Sequence, residues 1–153
     1  MKVKMEIDEN LIEEEVIIKC KELSDEISHL QQLISTAVFS KENFVVHKED
    51  REYYLVLDDI LFFETDGGEI NVHTANQMYK TAYKLYELEE MLPGHFIRVS
   101  KSTIANVRHI YSMSKNLSSA SIVEFRGTHK KIYVSRHYYR PLRNKLEEMR
   151  NQI

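Results

Sequence analysis

Polar and apolar residues alternate over much of this chain, and they fall into helical spacing at three places. Val3, Met5 and Ile7 alternate with Lys2, Lys4 and Glu6, which predicts a strand ended by the turn residues Asp8-Glu9-Asn10. Glu13-Glu14-Glu15 leads into Val16-Ile17-Ile18, a second short strand reaching Cys20. Ser24 then stands as an N-cap, with Asp25 and Glu26 in the first turn, where the helix dipole favours anions. Ile27, Leu30, Leu33 and Ile34 form one apolar face, so a helix is predicted over residues 24–36. Ala37 to Asn43 reads as a linker. The pattern therefore divides the chain into a small β/α arm, residues 1–40, suited to packing or dimerisation, and a main domain, residues 41–153.

The main domain opens with short strands. Phe44-Val45-Val46 and Tyr53 to Leu57 flank a charged turn at residues 48–52, which predicts a hairpin. After Asp58-Asp59, Ile60 to Thr65 forms a strongly apolar strand. Asp66-Gly67-Gly68 is the clearest turn, since glycine supplies the positive φ of tight hairpins. Ile70, Val72 and Thr74 return as its partner, and Met78 to Thr81 follows a turn at Asn76. Leu85, Leu88 and Leu92 fall on a helix that Pro93-Gly94 ends. Further strands are predicted around residues 96–99, 108–113, 122–125 and 131–134, with a polar loop at Ser114–Ser119. Pro141 is expected in the first turn of a last helix from about Arg140, after a turn at Ser135–Tyr139. Leu142, Leu146 and Met149 give that helix its apolar face. The fold class is mainly β (α+β overall), with a short internal helix, a C-terminal helix and the N-terminal arm.

Charge changes the picture. The net charge of the 153 residues is −3. Met1 to Pro93 carries 9 Lys+Arg against 21 Asp+Glu, whereas Gly94 to Ile153 carries 12 against 3. A half with net charge +9 suits a polyanionic partner, and a half at −12 faces solvent or another protein. The basic residues sit beside Ser, Asn and Tyr rather than in i,i+4 pairs with acids.

The densest candidate chemistry lies between Phe96 and Asn106. A half-buried strand, Phe96-Ile97-Arg98-Val99, hands over to Ser100-Lys101-Ser102-Thr103 and returns to Ile104-Ala105. Hydroxyls and an ammonium at a strand tip can donate to phosphate oxygens or base acceptors. A second basic group, Arg136, Arg140 and Arg143, gathers near the start of the last helix. Cations there oppose the helix dipole unless an anion is nearby.

Other chemistries lack their residues. Cys20 is the only cysteine, so neither an intrachain disulfide nor a cysteine zinc cluster can form. The seven histidines have no metal-ligand spacing and no HExxH pair. Ser100 and Ser102 lack a Gly-rich nucleophile turn, and Gly67-Gly68 lacks the lysine of a phosphate-binding loop. No apolar run is long enough to span a bilayer, and the first residues lack the apolar segment of a signal peptide. The expectation is a cytoplasmic chain without enzyme activity, cofactor, metal or small-molecule substrate. A protein-interaction module using free β edges is the competing class. An RNA binder that stacks bases on Tyr53, Tyr54, Tyr138 or Tyr139 ranks third.

Four motifs in order carry a family resemblance. They are an I-x-F-x-E strand (Ile60 to Glu64), an L-x-x-L-E-x-x-L helix (Leu85 to Leu92), F-x-R-V-x-(R/K)-S followed by Asn (Phe96 to Ser102, with Asn106), and a terminal V-S-R (Val134-Ser135-Arg136). Together they resemble the LytTR family of bacterial DNA-binding domains over roughly Phe44 to Glu147. The resemblance implies an elongated stack of short antiparallel sheets that reads successive major grooves of double-stranded DNA through loops. It places base readers in the Asp66-Gly67-Gly68-Glu69 turn, at Lys101 beside Ser100, and at Arg136. It places phosphate contacts at Ser102, His137 and Arg140. Two departures stand out. Ser100-Lys101 replaces the frequent His-Arg, which loses arginine's bidentate fork. The first turn is acidic and lacks the usual basic or aromatic reader; a carboxylate there could accept from a cytosine amino group, or the turn could contribute little. The resemblance further implies a stand-alone transcriptional regulator without a receiver domain, acting as a homodimer on direct repeats and restrained by a membrane-bound partner protein.

Overall fold

Ile60-Leu61-Phe62-Phe63 is buried throughout, because this stretch lies between two cores rather than against one. The computed structural model describes residues 1–12, 14–39, 43–116 and 119–151. Its elements are α1 (Asp25–Phe39), β1 (Asn43–Lys48), β2 (Arg51–Val56), β3 (Phe62–Asp66), β4 (Glu69–His73), β5 (Met78–Thr81), α2 (Leu85–Met91), β6 (Phe96–Ser100), β7 (Thr103–Asn106), β8 (Ile110–Met113), β9 (Ser121–Phe125), β10 (Lys131–Val134) and α3 (Arg136–Asn151). Short 3-10 turns at Leu57–Asp59 and Val107–His109 enter β3 and β8. All strand pairs are antiparallel, in a seven-stranded sheet of order β2-β1-β5-β4-β3-β7-β6 and a three-stranded sheet of order β10-β9-β8. The mainly β class follows.

Strand alternation builds the two cores. Phe63 and Ile104 face the first, with Phe44, Val46, Val72, Leu85 and Leu88. Phe62 and Ala105 face the second, with Val99, Val123, Val134 and Leu142. The large sheet is therefore covered by α2 on one side and by the small sheet and α3 on the other. Asn106 fastens the crossing between the layers. It is fully buried; its Nδ2 donates to the Ile60 carbonyl (2.9 Å), and its Oδ1 accepts from Arg108 N–H (3.1 Å). Two-residue turns with positive φ at both positions join β1 to β2 (Glu49 49°, Asp50 61°) and β3 to β4 (Gly67 59°, Gly68 85°).

The structure corrects several expectations. The strands predicted at residues 3–7 and 16–20 do not form; Val3, Met5, Ile7, Val16 and Ile17 are exposed. A lone alternating segment has no neighbour to take its N–H and C=O groups, and alternation alone does not supply one. Ser24 caps α1 as expected, its Oγ accepting from Ile27 N–H at 3.2 Å, but the helix runs on to Phe39. The predicted linker thus overlaps the helix, and its residues 40–42 lie outside the described residues, as do 117 and 118 of the polar loop. The apolar strand starts at Phe62, because Leu57–Asp59 takes a 3-10 turn first. The last helix begins at Arg136 and carries Pro141 inside it. Burial of Leu142, with Tyr138, Tyr139, Leu146 and Met149 packed on the second core, outweighs the lost proline hydrogen bond.

The ends of the stack differ. At one end the layers are clamped: Thr128 Oγ1 donates to the Ala75 carbonyl (2.9 Å) and Lys130 Nζ to the Gln77 carbonyl (2.7 Å). There His73 stacks on Phe62 with centroids 4.2 Å apart, its Nδ1 3.2 Å from Lys130 Nζ. Burial, then the Lys130 charge, lowers the His73 pKa to about 4. Burial, then Arg108, lowers that of His95 to about 4 as well, although Asp58 opposes the shift. Both rings are neutral in the folded chain, whereas the unfolded chain protonates them near pH 6.5. Their contribution to stability is thus complete above pH 6.5 and is lost as pH falls toward 4. The urea midpoint is expected to drop from pH 7 to pH 5, and His95→Gln to remove part of that drop.

Candidate nucleic-acid interface

Three turns converge at the opposite end. The β3–β4 turn is tied to the β6–β7 turn by Thr65 N–H, which donates to the Ser102 carbonyl at 2.8 Å. The start of α3 is tied to β6 by Ser135 N–H, which donates to the Val99 carbonyl at 3.0 Å. Register does this: β3 pairs with β7 from Phe62↔Ala105 to Glu64↔Thr103, so both hairpins end on one side. All ten candidate residues of the sequence come to this end. Asp66, Gly67, Gly68, Glu69, Lys101, Ser102, Arg136, His137 and Arg140 are exposed, and Ser100 is half-buried.

The groups differ in freedom. Among the described residues, Lys101, Arg136 and Arg140 have no acidic partner, whereas Arg143 pairs with Glu147 at 3.4 Å, one helical turn on. Ser100 Oγ accepts from Ser102 N–H at 3.2 Å, so this hydroxyl shapes the turn. His137 lies edge-on to Tyr138, with centroids 4.9 Å apart. The first turn is less acidic than its sequence, because Glu69 is ion-paired with Lys80 on β5. That leaves Asp66 as its carboxylate without an ion pair among the described residues.

Two contributors are not evident from sequence. Arg98 stands there only as part of a strand motif. In the fold its Nε donates to the Ser100 carbonyl (2.7 Å), its Nη2 donates to the Lys101 carbonyl, and its Nη1 pairs with Glu89 of α2 (2.9 Å). One guanidinium thus holds the backbone of the Lys101 turn against the internal helix. The one local signal is the position of Arg98 on the strand face opposite Val99, toward α2. Lys80 looks like an ordinary strand residue, yet it lies diagonally across β4–β5 from Glu69. No cluster able to hold a metal ion occurs among the described residues.

A stack of antiparallel sheets that presents unpaired cations on a turn and on the first turns of a helix at one end has the architecture of a β-type nucleic-acid-binding domain. Among the described residues α2 and α3 are separated by five strands, so no helix-turn-helix is formed. The chain belongs to the LytTr DNA-binding domain family, whose sequence model matches residues 50–147. It is similar, at 29% identity over 148 residues, to a Staphylococcus aureus (strain N315) protein described as an uncharacterized HTH-type transcriptional regulator. That match covers 95% of this chain and 98% of the relative, so it includes most of the arm. A protein of the same description from strain NCTC 8325 is 27% identical over 147 residues, with the same coverage. A solved Bacillus cereus structure, described as the LytTr DNA-binding domain of a methyl-accepting/DNA response regulator, matches the fold. Its TM-score is 0.64 at 23% identity, over 69% of this chain and 97% of that one. The chain is thus a DNA-binding regulator of this family. No helix of the described residues is long and apolar enough to cross a membrane.

Proposed function

We propose that this protein is a sequence-specific transcriptional regulator that reads successive major grooves of double-stranded DNA with the three turns. The observation that carries the reading is the backbone contact between Ser135 and Val99, which sets Arg136 beside the Lys101 turn. Arg136 faces guanine O6 and N7; Lys101 reads as a single cation without arginine's fork; Asp66 accepts from a cytosine amino group. Ser102, His137 and Arg140 hold phosphates, helped by N–H groups at the start of α3. Selection of bound duplexes from a random pool tests this. A recovered motif with guanine at a fixed position is expected, and an unenriched pool would refute it.

Arg98 acts here as a positioning residue. Arg98→Ala frees the Ser100 and Lys101 carbonyls and Glu89, so it is expected to weaken duplex binding roughly 10-fold while Arg98 itself touches no DNA. Arg98→Lys supplies charge without the three-way grip and recovers little. Anisotropy titrations, with melting curves to show that the fold persists, check this.

The arm supports assembly as a homodimer on direct repeats. Ile7, Ile12, Val16, Ile17 and Leu23 are exposed beside an acidic set that includes Glu14, Glu15 and Glu22. Such an apolar surface fits a second copy or a membrane-bound protein that restrains the regulator. Light scattering of the chain with and without its first forty residues separates these: a fall from two protomers per particle to one on truncation indicates the dimer, and an unchanged number of protomers excludes it.

A further inference from the structure

A cavity of about 240 Å³ lies beside the first turn, between its Gly68-Glu69 edge and residues 80–84, which have no role assigned so far in DNA binding. Gly68, Glu69, Lys80, Thr81, Tyr83 and Lys84 border it. Its place follows from register. Ile70 faces Thr81 across β4–β5, so the chain leaving β5 rises next to the Gly67-Gly68 tip. Lys80 faces Asn71, which in turn faces Glu64, and Glu64 shares its side of the sheet with Phe62 of the second core. Lys80 is thus on the side of α3 and Arg136, whereas Ile70 and Tyr83 belong to the first-core side and Lys84 caps α2, so the cavity spans the end of the sheet. The cavity thus opens at the same end as the three turns.

The charges around it are specific. Lys80 is paired with Glu69, and both side chains remain more than half exposed. Lys84 has no ion pair among the described residues; Glu87 is engaged with the Lys84 backbone N–H at 3.0 Å. The Tyr83 ring centroid lies 5.8 Å from that of Phe44, and the residue is 41% exposed, so its hydroxyl is available as a neutral donor. Lys80 and Lys84 are the cations next to the first turn that offset Asp66 and Glu69 as it approaches a polyanion.

We propose that this cavity is a seat for a backbone phosphate of duplex DNA, with Lys80 and Lys84 as its cations and Glu69 holding Lys80 in place until the phosphate arrives. The proposal rests on the three-turn reading of the DNA-facing end and extends it to residues outside the three turns. A phosphate contact carries no base information, so its loss weakens all duplexes alike and lowers the salt dependence by about one phosphate.

The experiment is a fluorescence-anisotropy titration of the full chain, over a series of salt concentrations, on the selected duplex and a scrambled one. Lys84→Ala is expected to lower affinity roughly 3- to 10-fold on both duplexes and to flatten the log–log salt slope by about one. Lys80→Ala is expected to lose more, since it also leaves Glu69 facing the phosphates, and Glu69→Gln in that background to recover the excess. Both lysines are exposed, and melting curves confirm that the variants fold. The proposal is overturned if both lysine variants stay within about two-fold of the parent with unchanged slopes, or if their losses are confined to the selected duplex. Either result leaves the three-turn reading standing provided Arg136→Ala still reduces binding to the selected duplex; failure of the parent chain to bind any duplex would remove both.

Discussion

Arg136→Ala is expected to lower affinity for the selected duplex by roughly 5- to 150-fold, the range of about 1–3 kcal/mol that a bidentate arginine–guanine pair discriminates. On a scrambled duplex the same variant is expected to lose only a phosphate-scale increment. Two features make this position sensitive. Its backbone is fixed by the Ser135–Val99 hydrogen bond, and its guanidinium has no acidic partner among the described residues. On the proposed reading it would enter the complex without first breaking an ion pair, unlike Arg143 with Glu147. Arg140→Ala, one turn along α3, is expected to weaken both duplexes about equally and to flatten the salt slope by about one. Parallel titrations of the two variants decide the assignment. Equal losses for both variants on both duplexes would mean that Arg136 meets only phosphate, and the specificity would then lie in the Lys101 turn.

The largest loss of stability is expected at Phe63, in the first core. Phe63 is fully buried and meets Phe44 edge-on (centroids 5.5 Å apart, planes at 71°) and Phe96 at 6.0 Å. Truncation to alanine removes the ring's transfer free energy and leaves a cavity, together about 3–5 kcal/mol. A domain of this size has about 5–15 kcal/mol in total, so the variant stands close to unfolding. Tyr54→Ala is the control: that residue is 63% exposed on the edge strand β2, and its removal costs about 0.5 kcal/mol or less. Urea midpoints of the two variants make the comparison. A small effect at Phe63 would show that the first core does not depend on this aromatic cluster.

Much of the proposed DNA-contacting end is legible in the sequence. The glycines at 67 and 68, the polar tip at 100–103 and the Val134-Ser135-Arg136 end each carry their signal within a few residues. Arg98 is legible as a strand residue but not as a brace, because its partner Glu89 lies on another element and its other two partners are carbonyls, which every residue has. Lys80 is hidden for a similar reason: its pairing with Glu69 needs the β4–β5 register. The arm misleads in the other direction. Val3, Met5 and Ile7 alternate as a strand does, but a strand is a relation between two segments, and the folded chain offers no second one there among the described residues.

By itself the sequence determined most strands and helices of the main domain, though not β7, where its clearest glycine turn falls, which chemistries lack their residues, and the family resemblance. These properties rest on neighbours a few positions apart, where side-chain period and glycine's freedom of φ act. Tertiary structure alone decided the order of the seven strands, the gathering of three turns at one end, the early start of α3 and the grip of Arg98. Each of these depends on contacts between residues distant in the chain, such as Thr65 with Ser102 and Ser135 with Val99. Such contacts form only when whole sheets pair in register and bury Phe62 and Phe63 on opposite faces.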